Sequence, residues 1–241
     1  MSDEIDGQSP QEECPETGTR ETPCPARSSY VTIKLDPVGS VAFMEDDEAV
    51  TAAQKLSVKT YVGFRDVLHI GQLPIQSFGV RMLRPGMPPA RPEEFFTSDM
   101  CIPVFPNANH PSRAPIHPVP AIPWANAYHA AFDHVALRVR ASFADHTLAT
   151  VLSKEERMRL ALACALDYER RQDCIEEAST DDSHTSIESA TSGAEEHSVE
   201  WAVTQSQPDT KPLVYMSYDL NSVQELCDPQ DFFQEIEAVQ Q

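Results

Sequence analysis

Proline dominates one continuous stretch in the middle of the chain. Eleven of the thirty-nine residues from 85 to 123 are proline. Because proline lacks an amide donor and fixes φ, neither a helix interior nor a central strand can form there. Large apolar side chains are interleaved with these prolines, and a free linker would not need them. The pattern predicts an extended proline-rich segment that wraps the surface of a core.

Charge divides the chain into three parts. Residues 1–27 contain seven acidic and two basic side chains, residues 28–172 contain fifteen of each, and residues 173–241 contain sixteen acids and one lysine. The net charges are therefore −5, 0 and −15, which sum to the formal charge of −20. Residues 1–27 are also rich in Glu, Pro, Thr and Ser, and residues 174–212 in Asp, Glu, Ser and Thr. Such segments bury too little apolar surface to offset their ordering entropy.

These differences predict the organisation of the domains. We expect an acidic disordered arm over 1–27, a single globular domain over 28–178 and an acidic, Ser/Thr-rich disordered linker over 179–212. The middle of the chain also has the patterns of both helices and strands. The fold class that follows is α+β, with a small antiparallel sheet, two packed helices and the proline-rich segment over 85–123.

The two helices are predicted from apolar periodicity and capping. Tyr128, Phe132, Val135 and Val139 recur at helical spacing, which predicts a helix beginning near residue 126. Ser153-Lys154-Glu155-Glu156 has the spacing of a capping box, which predicts the start of the second helix. Strands are expected at 30–35, where the residues are β-branched or aromatic, and in several shorter runs up to residue 83.

Residues 213–241 allow two interpretations. A strand-length apolar run over 213–218 is followed by an amphipathic helix that Pro229 can open. In one interpretation both elements dock back on the core. In the other, the helix enters a groove on a partner, and its partner-binding side chains are the apolar ones on one face. Those side chains are Phe232, Phe233, Ile236 and Val239.

No sequence motif identifies a reaction. The chain has neither G-x-G-x-x-G nor Gly-Lys-Ser/Thr, so the two large classes of nucleotide-binding enzymes are not indicated and no cofactor is expected. Ile75-Gln76-Ser77-Phe78-Gly79 resembles half of a nucleophile elbow, but Ile75 stands where the strained turn requires glycine. We therefore interpret Ser77 as an ordinary turn serine and predict no catalytic residue.

The histidines allow an alternative interpretation, in which the chain is an enzyme. His110, His117, His129 and His134 lack the close ligand pairs that zinc sites use, so no metal site is predicted. On the expected helix, His129 and Asp133 would share a face at i and i+4, and the carboxylate could orient the imidazole. A small enzyme of unfamiliar type would draw its catalytic groups from a set of five residues, which are His69, His110, His117, His129 and Asp133.

The acidic linker contains three candidate phosphorylation sites. Ser179, Thr185 and Ser192 each have an acidic residue three positions later, which is the spacing that acid-directed kinases prefer. Phosphates there would add charge to an already acidic segment and change its attraction for basic partners. Such sites are typical of eukaryotic regulatory proteins.

Partners and location follow from charge and hydropathy. Lys and Arg occur only as short pairs, so direct binding to nucleic acid is not expected. Apolar runs are far shorter than a bilayer requires, and the first residues are acidic where a leader would be basic. We therefore expect no membrane association, a location in the cytoplasm or nucleus, and cysteines that are reduced.

These exclusions leave a functional class rather than a named activity. The preferred hypothesis is a non-catalytic intracellular protein-interaction or regulatory protein, with protein partners and an oligomeric state that the sequence leaves open. Two alternatives remain: the small enzyme described above, and an acidic transcriptional co-regulator whose terminal helix contacts a coactivator groove.

Overall fold

The computed structural model describes residues 25–70, 76–140, 143, 145–181 and 211–240. The strands are β1 (Tyr30–Leu35), β2 (Thr60–Ile70), β3 (Gln76–Pro85), β4 (Cys101–Pro103), β5 (Pro118–Val119), β6 (Ala127–Val139), β7 (Val151–Leu152) and β8 (Leu213–Ser217). The α-helices are α1 (Pro37–Val41), α2 (Asp47–Ala53), α3 (Lys154–Asp181) and α4 (Pro229–Gln240). The expected disorder of 1–27 and 179–212 falls mainly on residues outside the described ones.

The strands form a six-stranded sheet in the order β3-β2-β1-β8-β6-β4, and β5 and β7 form a separate two-stranded sheet. Because β3 also pairs with β6, the strands β1, β2, β3, β6 and β8 close into a ring. All pairings are antiparallel except that of β6 with β8. The α+β class is confirmed, but the sheet is larger than the small sheet that we expected.

The prediction of a helix near residues 126–143 is wrong, because residues 127–139 form strand β6. Along one edge β6 pairs with β3 from Ala127 to Val139, and along the other it pairs first with β4 and then with β8. Much of this strand is buried on both faces, so apolar side chains occur on each face and their spacing mimics a helix. The two long helices are instead α3 and α4.

Alternation along β1 divides the core into two clusters. Val31, Ile33 and Leu35 point into the cluster that contains Phe232 of α4, which we call the α4-side core. Tyr30 belongs to a second cluster with Leu160 and Cys164 of α3, which we call the α3-side core. The period of two that predicts a strand therefore also decides which helix covers each side chain.

The proline-rich segment contributes apolar residues to the α3-side core. These residues are Ile102, Val104, Ile116 and Ile122, and Trp124, directly after the segment, joins the same cluster. Two ion pairs attach the segment to α3: Arg113 Nη1 donates to Asp167 Oδ2 at 2.7 Å, and Arg170 Nη1 donates to Asp99 Oδ2 at 2.9 Å. Burial and ion pairing together hold the segment against the core.

Helix α3 begins where the capping box predicts. The backbone N–H of Glu156 donates to Ser153 Oγ at 3.3 Å, so the serine caps the first turn. The helix then continues to Asp181, three residues beyond the expected end of the domain. None of the described helices combines the length and apolarity that crossing a membrane requires.

Candidate functional site

The carboxyl-terminal elements lie within the folded unit. Strand β8 pairs with β1 on one edge and with β6 on the other, so it occupies an interior position in the sheet. Its Val214 is fully buried and contributes to the α4-side core. The docked arrangement, one of the two interpretations of the sequence, is the one in the structure.

Helix α4 is attached to the sheet by one buried ring and several polar contacts. The Phe232 ring is fully buried, with its centroid 4.9 Å from that of Tyr61. Tyr61 Oη donates to Glu235 Oε1 at 2.7 Å, and burial together with this carboxylate raises the pKa of Tyr61 well above its usual range. Arg84 Nη2 donates to Asp228 Oδ2 at 3.0 Å, just before the helix begins.

The four predicted partner-binding residues share the side of α4 that faces the core. Phe232 is fully buried, whereas Phe233, Ile236 and Val239 are half-buried and pack against the α4-side core. In this arrangement Phe232 is a core residue. Ile236 and Val239 have a second environment, because both also line a groove beside the helix.

This groove lies between residues 40–56 and the last turns of α4, and we call it the α2–α4 groove. Its volume is about 650 Å³, within the range of small-ligand and peptide-anchor sites. The residues that line it come from α1, the turn after it, α2 and the residues that follow it, the position just before β8, and α4. They are Ser40, Val41, Phe43, Met44, Asp46, Glu48, Ala49, Ala52, Ala53, Leu56, Pro212, Ile236, Ala238, Val239 and Gln240.

Close packing of α1 against β8 positions one wall of the groove. The N–H of Leu213 donates to Ser40 Oγ at 2.8 Å, which fixes α1 to the start of β8. A Cβ on Gly39 would lie 2.4 Å from Asp36 Oδ2 and 2.7 Å from Leu213 Cδ2, so a larger residue would push the two elements apart. Alanines on α2 then leave the space that forms the groove.

The chemistry of the groove is apolar with an acidic rim. Phe43 and Met44 are 48% and 53% exposed beside it, which is a large apolar exposure for adjacent residues. Four consecutive acids, residues 45–48, follow them, and Asp46 Oδ1 caps α2 by accepting from the Glu48 N–H at 2.8 Å. Among the described residues that line the groove, none is Lys, Arg or His.

The structure separates His129 from Asp133. Both residues lie on β6 rather than on a helix, so their backbones are about 13 Å apart at 3.3 Å per residue. The His129 Nδ1–H donates to the Met82 carbonyl at 3.3 Å, and its Nε2 accepts from the Tyr30 hydroxyl at 3.1 Å. The proposed orientation of this imidazole by Asp133 is therefore wrong, since it required a shared helix face.

Asp133 has a different partner. Arg84 Nη1 donates to its Oδ2 at 3.0 Å, and both side chains are buried. Burial raises the pKa of Asp133, while the neighbouring Arg84 opposes that shift. The carboxylate therefore belongs to a buried ion pair of the fold.

The other histidines of the candidate set have separate environments. His110 Nδ1 accepts from the N–H groups of Ser112 and Arg113 at 3.1 and 2.9 Å, and the His117 ring stacks on Phe105. The side chains of His69 and Ser77 lie outside the described residues. No three His, Cys, Asp or Glu side chains in the described part of the chain are grouped so that they could hold a metal ion.

The three phosphorylation candidates fall at or beyond the end of α3. Ser179 is exposed in its last turns, and its Oγ donates to the Ile175 carbonyl at 2.8 Å. Thr185 and Ser192 lie outside the described residues.

Sequence reasoning found one wall of the groove and missed the other. Helical periodicity selects Ile236 and Val239, whereas residues 41–43 are among the shorter runs before residue 83 that the sequence predicts to be strands. Phe43 and Met44 instead form a helical turn after α1. An adjacent aromatic and methionine followed by four acids was the available signal for this wall. Comparison with known proteins finds no matching family model, curated protein or solved structure.

Proposed function

We propose that this chain is a non-catalytic protein-interaction protein, and that its α2–α4 groove receives a short apolar segment bearing Lys or Arg from a protein partner. The observation that carries the proposal is the pair of exposed side chains, Phe43 and Met44, beside an apolar groove with acidic residues at its rim. Exposed apolar surface of this kind is typical of interaction sites.

The shape of the groove favours an anchored segment. Its apolar lining includes Leu56, Ile236 and Val239, which can accept one or two aliphatic or aromatic side chains. The predicted partner-binding residues Ile236 and Val239 keep that role in this proposal. They act as part of a preformed wall rather than as anchors of a free helix.

The charge of the rim favours a basic partner. Residues 45–48 are four consecutive acids, of which Asp46 and Glu48 line the groove, and the whole chain has a formal charge of −20. Opposite charges on the partner would accelerate encounter and orient the segment, while the apolar contacts would slow its dissociation. Free thiols at Cys101, Cys164, Cys174 and Cys227 fit a reducing setting, the cytoplasm or nucleus.

Substitution of one groove residue tests this proposal. Ala52 lines the groove and is exposed, so Ala52→Arg should fold normally while blocking the groove and reversing its local charge. The probe is a fluorescent amphipathic peptide of about twelve Leu and Lys residues. We expect Ala52→Arg to weaken its binding by about tenfold or more in a fluorescence anisotropy titration.

A neighbouring residue provides the matched control. Thr51 is also exposed on α2 but does not line the groove, so Thr51→Arg adds the same charge without blocking it. A peptide in which Ser replaces Leu retains the charge but loses the anchors, and we expect it to bind weakly. Equal binding of the Leu-Lys peptide to the Ala52→Arg and Thr51→Arg variants would overturn the proposal.

A further inference from the structure

One face of α3 exposes an apolar stripe. The side chains of Met158, Leu162 and Leu166 recur at i, i+4 and i+8 and are 64%, 61% and 50% exposed. Ala161 and Ala165 lie between them and are also exposed. We call these five residues the α3 outer face. The opposite face of the helix, with Leu160, Cys164 and Asp167, is buried against the core.

Large and small residues alternate along this face. An antiparallel pair of α3 helices, related by a two-fold axis level with residues 163 and 164, would place Leu162 of one copy against Ala165 of the other. The same symmetry would place Leu166 against Ala161. Each leucine would then fill the space beside an alanine, which is how closely packed helices fit together.

The charges along α3 also differ between its two ends. At the amino-terminal end, Lys154 and Arg157 line a small cavity of about 290 Å³ beside Met158 and Ala161. The two acids of this end have contacts within the chain: Glu155 Oε2 accepts from Ser153 Oγ at 2.8 Å, and Glu156 forms an ion pair with Arg159. The Arg157 Nε is buried and has no hydrogen-bond partner among the described residues. At the carboxyl-terminal end, the exposed side chains near the same stripe include Glu169, Asp173 and Glu176.

Intramolecular contacts already engage the basic residues of the carboxyl-terminal half. Arg170 Nη2 and Asp99 Oδ1 form an ion pair at 2.6 Å, and Arg171 Nε donates to the Glu94 carbonyl at 2.8 Å. The acidic side chains therefore determine the charge that this end presents to another molecule. A parallel pair of α3 helices would bring like ends together, whereas an antiparallel pair brings opposite charges together.

We propose that the α3 outer face is a self-association surface, on which α3 of a second copy packs antiparallel. Lys154 and Arg157 of each copy then face Glu169, Asp173 and Glu176 of the other. The carboxylates enter the small cavity where the Arg157 Nε is left without a partner. This surface is separate from the α2–α4 groove, so the dimer leaves that groove open to its partner.

Sedimentation of the full chain tests this proposal. The chain has a mass of 26.8 kDa. We expect the sedimenting mass to rise towards twice that value as the concentration is raised to about 0.1 mM. Leu162→Glu should give the monomer mass, because it places two carboxylates at the dimer axis. Since Leu162 is mostly exposed, the variant should retain the fold, which circular dichroism checks. The control Tyr215→Glu changes an exposed aromatic residue on β8 and should remain dimeric.

An exchange of charges tests the antiparallel orientation. Lys154→Glu and Asp173→Lys should each weaken self-association by roughly three- to tenfold, because the two-fold axis repeats every pair. Combining them should restore most of the loss, since each new charge again faces its opposite. Failure of the combined variant to recover would overturn the antiparallel arrangement.

Two other results would overturn self-association itself. One is a monomer mass for the unchanged chain throughout the concentration range. The other is loss of the dimer in both Leu162→Glu and Tyr215→Glu, which would place the contact elsewhere. A third result would assign the surface to a different partner. If the unchanged chain is monomeric, and if Leu162→Glu weakens binding of the Leu-Lys peptide while Ala52→Arg does not, the α3 outer face binds a basic helix instead.

Discussion

At the scale of single residues, Arg84 connects three elements of the fold. It extends from β3, forms a buried ion pair with Asp133 of β6 and also donates to Asp228 at the start of α4. The side chains of Arg84 and Asp133 are 4% and 3% exposed. A buried pair is costly to desolvate, and losing one partner leaves the other charge unpaired in a low-dielectric environment.

We therefore expect Arg84→Met to lower the free energy of unfolding by about 3–5 kcal/mol. Urea denaturation followed by circular dichroism measures this loss. The double variant Arg84→Met/Asp133→Leu removes both charges and should recover a large part of it. If the double variant is no more stable than Arg84→Met, the unpaired carboxylate is not the source of the destabilisation.

Residue-scale chemistry also explains why the candidate site was only half predicted. Ile236 and Val239 are found from local periodicity, because the apolar side of an amphipathic helix can be recognised from the spacing of its apolar residues. The role of Phe43 and Met44 depends on Gly39 allowing α1 to approach Leu213, which lies 174 positions later in the chain. No local pattern contains that contact.

At the scale of elements, the docking of α4 on the core depends more on Phe232 than on the adjacent Phe233. Phe232 is fully buried against Tyr61, whereas Phe233 is half-buried at the margin of the same cluster. Burial of a whole aromatic ring contributes several kcal/mol when its surroundings cannot collapse after truncation. The docking of α4 therefore has a specific anchor.

The corresponding prediction compares two aromatic residues of the carboxyl-terminal elements. Phe232→Ala should lower the free energy of unfolding by about 3–5 kcal/mol, because it leaves a cavity in the α4-side core. Tyr215→Ala, on the exposed side of β8, should change it by less than about 0.5 kcal/mol. Guanidinium unfolding of both variants measures the difference. Similar stability of the two would mean that α4 is not docked in solution.

The elements also show where sequence patterns predict correctly and where they fail. The capping box at Ser153 predicted the start of α3, because capping is a local interaction. The stripe from Tyr128 to Val139 predicted a helix wrongly, since a strand buried on both faces loses its period of two. Only the pairing with β3, β4 and β8 distinguishes the two, and that pairing is not local.

At the scale of the whole molecule, the sheet joins the two ends of the described chain. β8 lies between β1 and β6, and Lys34 is paired with Tyr215. Neither the first strand nor β6 completes its pairing until this late segment is in place. The fold therefore has a high proportion of contacts between distant residues, and such topologies fold slowly.

The chain should accordingly behave as two complementary pieces. We expect residues 1–205 and 206–241 to lack cooperative thermal unfolding when each is expressed alone, and to show it when they are co-expressed. The reason is that β8 and α4 supply both an interior strand and Phe232. Differential scanning calorimetry measures the transition. Val214→Asp in residues 206–241 should abolish the cooperative transition of the co-expressed pieces. A cooperative transition from residues 1–205 alone would contradict this prediction.

The interior position of β8 also has a consequence for biosynthesis. Residue 213 is made 183 positions after residue 30 (213 − 30), so β1 leaves the ribosome roughly 10–40 s before its second neighbour exists at typical elongation rates. During that interval one edge of β1 has no strand to pair with, and unpaired edges recruit other chains. Newly made protein is therefore most exposed to aggregation just before β8 is synthesised, and a nascent-chain chaperone would act on the edge of β1.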